Sequence, residues 1–215
     1  MKLFIDTANI KEIEEACALG VISGVTTNPS IIAKEGKKFE QAIGEITKIM
    51  LDGFIFAEVV SLEADGMVKE GLELAKINDR MIVKIPMCAE GLKACSRLSK
   101  KGVRVCVTLM FSEAQAILAA NAGAAYVAPF VGRLDDIGWD GLELVAGVRE
   151  ILDASGYDTQ IVAASARHPV HLTKLAKIGC DIATVPFKVL MQMIDHPLTT
   201  SGLDKFMKDW ESVPK

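Results

Sequence analysis

Aromatic residues are scarce in this chain of 215 residues, at 6% with two tryptophans and two tyrosines, so its core must be built from aliphatic side chains. That length holds one large core, and a single domain over 1–215 is expected. Excess charge is also missing. A formal net charge of −4 argues against a polyanion such as nucleic acid as the main partner, although a local anion site is still open. No apolar run has the character of a membrane span. The most apolar stretch, 116–132, is dominated by alanine and broken by Asn121, Gly123 and Pro129. Asp6 interrupts any leader-like apolar segment near the N-terminus. The five cysteines, at 17, 88, 95, 106 and 180, form neither a CxxC pair nor a Cys/His metal spacing. They read as small core residues of a reduced, cytoplasmic protein.

What is present is a recurring theme: a helical pattern, a glycine, then a short apolar run. It is seen at Leu19-Gly20-Val21-Ile22, Lys101-Gly102-Val103, Ala122-Gly123-Ala124 and Ile178-Gly179-Cys180. A glycine stops a helix by taking the left-handed conformation, and the apolar run that follows begins a strand. The pattern predicts strands over 2–6, 23–26, 54–59, 81–85, 104–108, 124–128, 160–164 and 181–185. Helical periodicity lies between them, over 9–19, 37–51, 62–77, 89–101, 112–121, 139–155 and 168–178, with 187–195 after the last strand. Eight nearly continuous apolar strands alternating with helices point to an α/β fold, a (β/α)8 TIM barrel, in preference to a doubly wound sheet. Residues 199–214 form an additional C-terminal helix with Leu203, Phe206, Met207 and Trp210 at helical spacing. Such a face covers either the barrel or a neighbouring subunit.

One strand stands out. Met81-Ile82-Val83-Lys84-Ile85-Pro86 carries a lysine inside a run that is apolar on both faces. A desolvated ammonium sheds its proton more readily, and the neutral amine is a nucleophile toward ketones. A lysine that simply reaches solvent at the strand end is the plainer alternative.

In such a barrel, chemistry is built at the carboxyl ends of the strands. Those ends carry Asp6, then Thr26-Thr27-Asn28, Glu58, Lys84, Thr108, Phe130 to Arg133, and Ser165 to Arg167, whereas the eighth run ends in Val185-Pro186 with no catalytic group. Singly, Asp6 reads as a helix cap, Asn28 as a turn former before Pro29, and Glu58 as a partner in an ion pair. Together they supply imine-based carbon–carbon bond cleavage. Lys84 attacks the ketone, Asp6 takes the proton of the departing hydroxyl, and Glu58 with Thr108 holds a water that shuttles protons. Arg133 and Arg167, with the Ser165 hydroxyl, form a fork for a substrate phosphate. No cofactor or metal is needed. A metal-dependent barrel is the rival from another class, because His168 and His171 are three apart, but the remaining histidine is the distant His196. Asp135-Asp136 reads as a solvated loop pair that caps the next helix.

Four segments, Val25-Thr26-Thr27-Asn28-Pro29-Ser30, Val83-Lys84-Ile85-Pro86, Pro129-Phe130-Val131-Gly132-Arg133 and Ala164-Ser165-Ala166-Arg167, resemble the signatures of the transaldolase family, in particular its short branch of compact microbial transaldolases and fructose-6-phosphate aldolases. The resemblance covers essentially the whole chain. It implies a (β/α)8 barrel, a Schiff-base lysine at Lys84, an acid–base aspartate at Asp6, and Glu58 and Thr108 around a catalytic water. It also implies sugar phosphate substrates, with Thr27, Asn28 and Phe130 in the substrate pocket and phosphate on Arg133, Ser165 and Arg167. A homo-oligomer, pentamer or decamer, with 199–214 reaching a neighbour, follows from the same resemblance.

Within that branch, transaldolases typically carry glutamate and phenylalanine where the aldolases carry glutamine and tyrosine, and this chain has Glu58 and Phe130. That favours transfer of a dihydroxyacetone unit between sugar phosphates over its release as free dihydroxyacetone. The chain departs from typical transaldolases at Cys106 and Ala128, where asparagine and serine often hold the donor's terminal hydroxyl. A thiol donates weakly and alanine not at all, so looser selection of the donor is expected.

Overall fold

The computed structural model describes residues 1–214. Eight parallel strands close into a barrel in sequence order, β1 (Lys2–Asp6), β2 (Ile22–Thr26), β3 (Phe54–Glu58), β4 (Met81–Pro86), β5 (Val105–Met110), β6 (Tyr126–Pro129), β7 (Gln160–Ala163) and β8 (Ile182–Val185). β1 pairs with both β2 and β8, which rules out the doubly wound alternative. The helices between strands are α1 (Ile10–Ala18), α2 (Pro29–Lys34), α3 (Phe39–Ile49), α4 (Ala64–Ile77), α5 (Ala89–Ser99), α6 (Glu113–Asn121), α7 (Val131–Asp135), α8 (Gly141–Ser155) and α9 (Pro169–Ile178). Then come α10 (Phe187–Gln192) and α11 (Pro197–Glu211).

Two helices are absent from the sequence reading, α2 and α7. Both are short and lie inside segments read as binding loops. The extended backbone of Asn28 and the proline at the first helical position start α2 where a turn was expected. α11 begins two residues before the predicted boundary, again because a proline occupies its first turn. It buries none of its residues, and Leu198, Leu203, Phe206, Met207 and Trp210 are all more than half exposed. The apolar face therefore does not cover its own barrel.

The pleat divides each strand between two cores. Outward side chains such as Ile5, Ile55, Val83, Ile85, Val107 and Ile161 pack under the helices. Inward side chains Phe4, Phe56, Ile82, Cys106, Tyr126, Val162 and Ile182 form a second cluster inside the barrel. The Phe56 ring is the hub of this plug, edge-on to Phe4 at 5.5 Å and to Tyr126 at 5.2 Å between centroids. β2 contributes Gly24 at this level, because a Cβ there would lie 2.7 Å from the Phe4 ring and 2.6 Å from the Phe54 carbonyl oxygen. Three of the chain's few aromatic rings thus block the lower barrel, and whatever stands above them faces a closed floor.

Candidate active site

Moving two residues along each strand from the plug brings the next inward side chain, because alternate residues share a face. Phe4 is followed by Asp6, Gly24 by Thr26, Phe56 by Glu58, Ile82 by Lys84, Cys106 by Thr108, Tyr126 by Ala128, Val162 by Ala164 and Ile182 by Thr184. Apart from Ala128 and Ala164, the step replaces an apolar residue or glycine with a polar or charged one. This layer, except Glu58, bounds a cavity of about 110 Å³ whose walls include Asp6, Asn28, Lys84, Thr108, Phe130 and Arg133; Glu58 meets it only through Lys84. A larger space of about 650 Å³ is lined by Ser112, Glu113, Trp139, Asp140 and Glu143 among others, and has no lysine, arginine, histidine or cysteine on its walls. Converging chemistry, not volume, marks the smaller cavity as the site.

Lys84 is only 6% exposed. Its Nζ donates to the Thr27 carbonyl oxygen at 2.9 Å and lies 3.3 Å from Glu58 Oε2, so the plainer alternative of a lysine reaching solvent does not apply. Asp6 keeps an edge on the cavity and is otherwise enclosed. Burial pushes its carboxyl above the ordinary range, while a hydrogen bond from Thr26 and the Lys84 charge pull it partly back. The Thr108 hydroxyl is buried with no protein partner, next to Leu109, whose φ of 58° interrupts the register of β5 with β6. A leucine held in the left-handed region marks a point where the fold overrides local preference.

The arginine segments are joined by main chain. Val131 N–H donates to the Ala164 carbonyl at 3.0 Å and Gly132 N–H to the Ser165 carbonyl at 3.1 Å. A Cβ on Gly132 would stand 2.4 Å from that Ser165 oxygen and 2.5 Å from Arg167 Nε, so glycine is required by close approach. Ser165 itself has φ 62°. Arg133 lines the cavity with its guanidinium 4.7 Å from the centroid of the Phe130 ring.

Some expected roles are placed differently. Arg167 does not line the cavity; its Nη2 pairs at 2.7 Å with Asp136, the C-cap residue that ends α7. The Thr27 hydroxyl is turned away and donates to the Phe56 carbonyl at 3.0 Å, so this residue meets the site through its backbone oxygen. Asn28 serves twice, since Oδ1 caps α2 by accepting from Ile31 N–H at 2.9 Å while the residue lines the cavity. Asp135 accepts from Gly141 N–H and pairs with His171 Nε2 at 3.1 Å, while Arg167 N–H donates to His171 Nδ1. Both ring nitrogens of that histidine are occupied, which removes it from the ligand pair considered above. Cys106 lies wholly buried in the plug beside Lys84, and burial raises its thiol to about 12, whereas Ala128 reaches the cavity.

Thr184 was missed as a site residue, and Thr26, named at its strand end, was given no role; both line the cavity, so the eighth strand, read as ending without a catalytic group, does contribute a polar side chain to it. Reading the final residue of each strand hid Thr184; counting two from Ile182 finds it.

Comparisons with known proteins bear on the chain as a whole. A model of the family "Transaldolase/Fructose-6-phosphate aldolase" matches residues 3–215. The chain belongs to the transaldolase/fructose-6-phosphate aldolase family. It is 58% identical over 215 residues to a "Probable transaldolase" of Clostridium botulinum (strain Eklund 17B / Type B), covering 100% of both chains. A "Probable transaldolase" of Geobacter sulfurreducens is 57% identical over the same length, also covering 100% of each. One of Caldicellulosiruptor saccharolyticus is 59% identical over 216 residues, covering 100% of this chain and 99% of the relative. Among solved structures, one described as "Native KDPGal structure" is similar with TM-score 0.61 at 16% identity, covering 86% of this chain and 82% of that one. At that identity the likeness speaks for the barrel alone. Family membership makes the chain an enzyme, a transferase of the transaldolase type.

The enclosed pair gives a stability test of the site. Lys84→Met leaves the Glu58 carboxylate without its cation and is expected to lower unfolding free energy by about 3 kcal/mol in urea titration. Lys84→Met with Glu58→Gln should recover at least half of that loss.

Proposed function

We propose that this enzyme is a transaldolase that works through an imine on Lys84, moving a dihydroxyacetone unit from fructose 6-phosphate or sedoheptulose 7-phosphate to erythrose 4-phosphate or glyceraldehyde 3-phosphate. The observation that carries the reading is the enclosed Lys84 amine, 3.3 Å from Glu58, on the wall of a cavity that also holds Asp6 and the unpartnered Thr108 hydroxyl. Glu58 takes the ammonium proton. The freed amine adds to the ketone carbon, and loss of water gives the iminium. Asp6 then accepts the proton of the C4 hydroxyl; the C3–C4 bond breaks, its electron pair moves into the enamine, and the aldose phosphate leaves. Attack of the enamine carbon on the acceptor aldehyde reverses these steps, and water releases the new ketose. A water held by Glu58 and Thr108 carries protons in imine formation and hydrolysis. The reaction draws on no cofactor.

Arg133 and Ser165 face the phosphate end. Arg167 joins them when a phosphate dianion competes with Asp136, since their ion pair is half exposed and opening it costs about 1 kcal/mol or less. Phe130 favours transfer over release. A phenylalanine has no hydroxyl to protonate the enamine, which therefore persists until an acceptor arrives. This activity belongs to the non-oxidative pentose phosphate pathway and to the cytoplasm. The apolar face of α11, uncovered by its own barrel, is the seat of a subunit contact in a homo-oligomer, a pentamer or decamer.

Incubation with fructose 6-phosphate should release glyceraldehyde 3-phosphate only when erythrose 4-phosphate is present, with sedoheptulose 7-phosphate as co-product. Lys84→Ala should abolish both this turnover and covalent trapping by borohydride. Sustained release without acceptor would instead make the enzyme a fructose-6-phosphate aldolase. Cys106→Asn combined with Ala128→Ser should raise the preference for dihydroxyacetone over hydroxyacetone as donor about tenfold, and an unchanged ratio would remove the donor role of these positions. Light scattering should give five or ten times the chain mass, and Phe206→Glu with Trp210→Glu should lower it; a wild-type monomer would end the subunit-contact reading.

A further inference from the structure

The Asp6 carboxylate is the end of a chain of hydroxyls. Its Oδ1 accepts from Thr26 Oγ1 at 2.6 Å, and the same Thr26 Oγ1 lies 2.6 Å from Thr184 Oγ1. The residues come from three neighbouring strands, β8, β1 and β2, and both threonines are at most 3% exposed. A hydroxyl has a single proton to give. Because Thr26 gives its proton to the carboxylate, the proton between the two threonines belongs to Thr184. The chain then runs one way, from Thr184 to Thr26 to Asp6, and donation into the Thr26 oxygen strengthens its own bond to the carboxylate. Among the described residues no hydrogen-bond donor reaches Asp6 Oδ2, the oxygen left for substrate.

We propose that Thr184 is a positioning residue for Asp6, acting through Thr26 to hold the carboxylate by Oδ1 so that Oδ2 meets the hydroxyl proton of the substrate. The role rests on Asp6 being the acid–base group of the reaction above. Burial works against the ionised carboxylate, and the hydroxyl chain offsets part of that. The other charges around Asp6 are few. Lys84 on β4 and Arg133 on α7 share its cavity, and Glu58 on β3 stands in the same inward layer, paired with Lys84 at 3.3 Å. β2 and β8 carry no ionisable side chain. Lys188 of α10 is exposed, and Glu12 of α1 is taken up by the Thr7 hydroxyl at 2.5 Å. Thr184 also lines the cavity, so its test must separate holding Asp6 from touching substrate.

Thr184→Val keeps the shape and removes the hydroxyl. The carboxylate then loses donor strength and is protonated more easily, so the acidic limb of the kcat profile should move up by about half to one pH unit. kcat should fall about three- to tenfold with KM within about twofold. Thr184→Ser should restore both. Thr26→Val should be at least as damaging, and the double variant no worse than Thr26→Val alone, because the two hydroxyls act in series. A wild-type pH profile in Thr184→Val, a change confined to KM, or additive losses in the double variant would each overturn the proposal. Asp6→Asn separates the two layers of inference. Residual turnover that keeps the acidic limb would mean Asp6 is not the acid–base group. A limb lost in Asp6→Asn but unmoved in both threonine variants would leave Asp6 in place and remove Thr184.

Discussion

Everything at the mouth of this barrel depends on the plug of rings and aliphatic chains below it. Phe56, wedged edge-on between Phe4 and Tyr126, closes the lower barrel against water and sets the height of the next inward layer. Gly24 gives up its side chain so that the Phe4 ring fits. The strand pleat then leaves no freedom: the residue two further on must face the same interior. A polar ring is raised onto a hydrophobic floor, and only one side of it meets solvent.

That position gives the polar groups their chemical character. In water Lys84 and Glu58 would be an unremarked pair of charges; in the barrel neither can turn away from the other without losing its compensation. Asp6 is enclosed without a cation as close, so it leans on hydroxyls from β2 and β8 and on the more distant Lys84 charge. Two carboxylates above one floor thus have different surroundings. Glu58 stands against the amine, whereas Asp6, whose ionised form burial disfavours, is held by a hydroxyl.

The loops that follow β6 and β7 are built by different means. Two strand-following loops are stitched together through main-chain bonds from Val131 and Gly132 to the carbonyls of Ala164 and Ser165. The stitch holds Ser165 in a left-handed conformation and forbids any side chain at 132. Arg133 projects from one loop onto the Phe130 face, and Arg167 from the other is parked on Asp136. An exposed pairing of that kind keeps a cation nearby while leaving it free to be taken by a stronger anion.

The sequence by itself determined the strand count, the order of elements, the strange placement of Lys84 and most of the groups that join it, because these follow from local periodicity and from one rule about strand ends. It missed α2 and α7, whose six and five residues are too few to show a period. Only the tertiary structure decided how single side chains are spent. It turned the Thr27 hydroxyl onto the Phe56 carbonyl, drew Arg167 to Asp136, brought Thr184 into contact with Thr26 across 158 positions of chain, and left the apolar face of α11 bare. The reason is geometric. Periodicity specifies which face of a strand or helix a residue occupies, but which partner waits on that face depends on the closure of the barrel, which joins β8 to β1 from opposite ends of the chain.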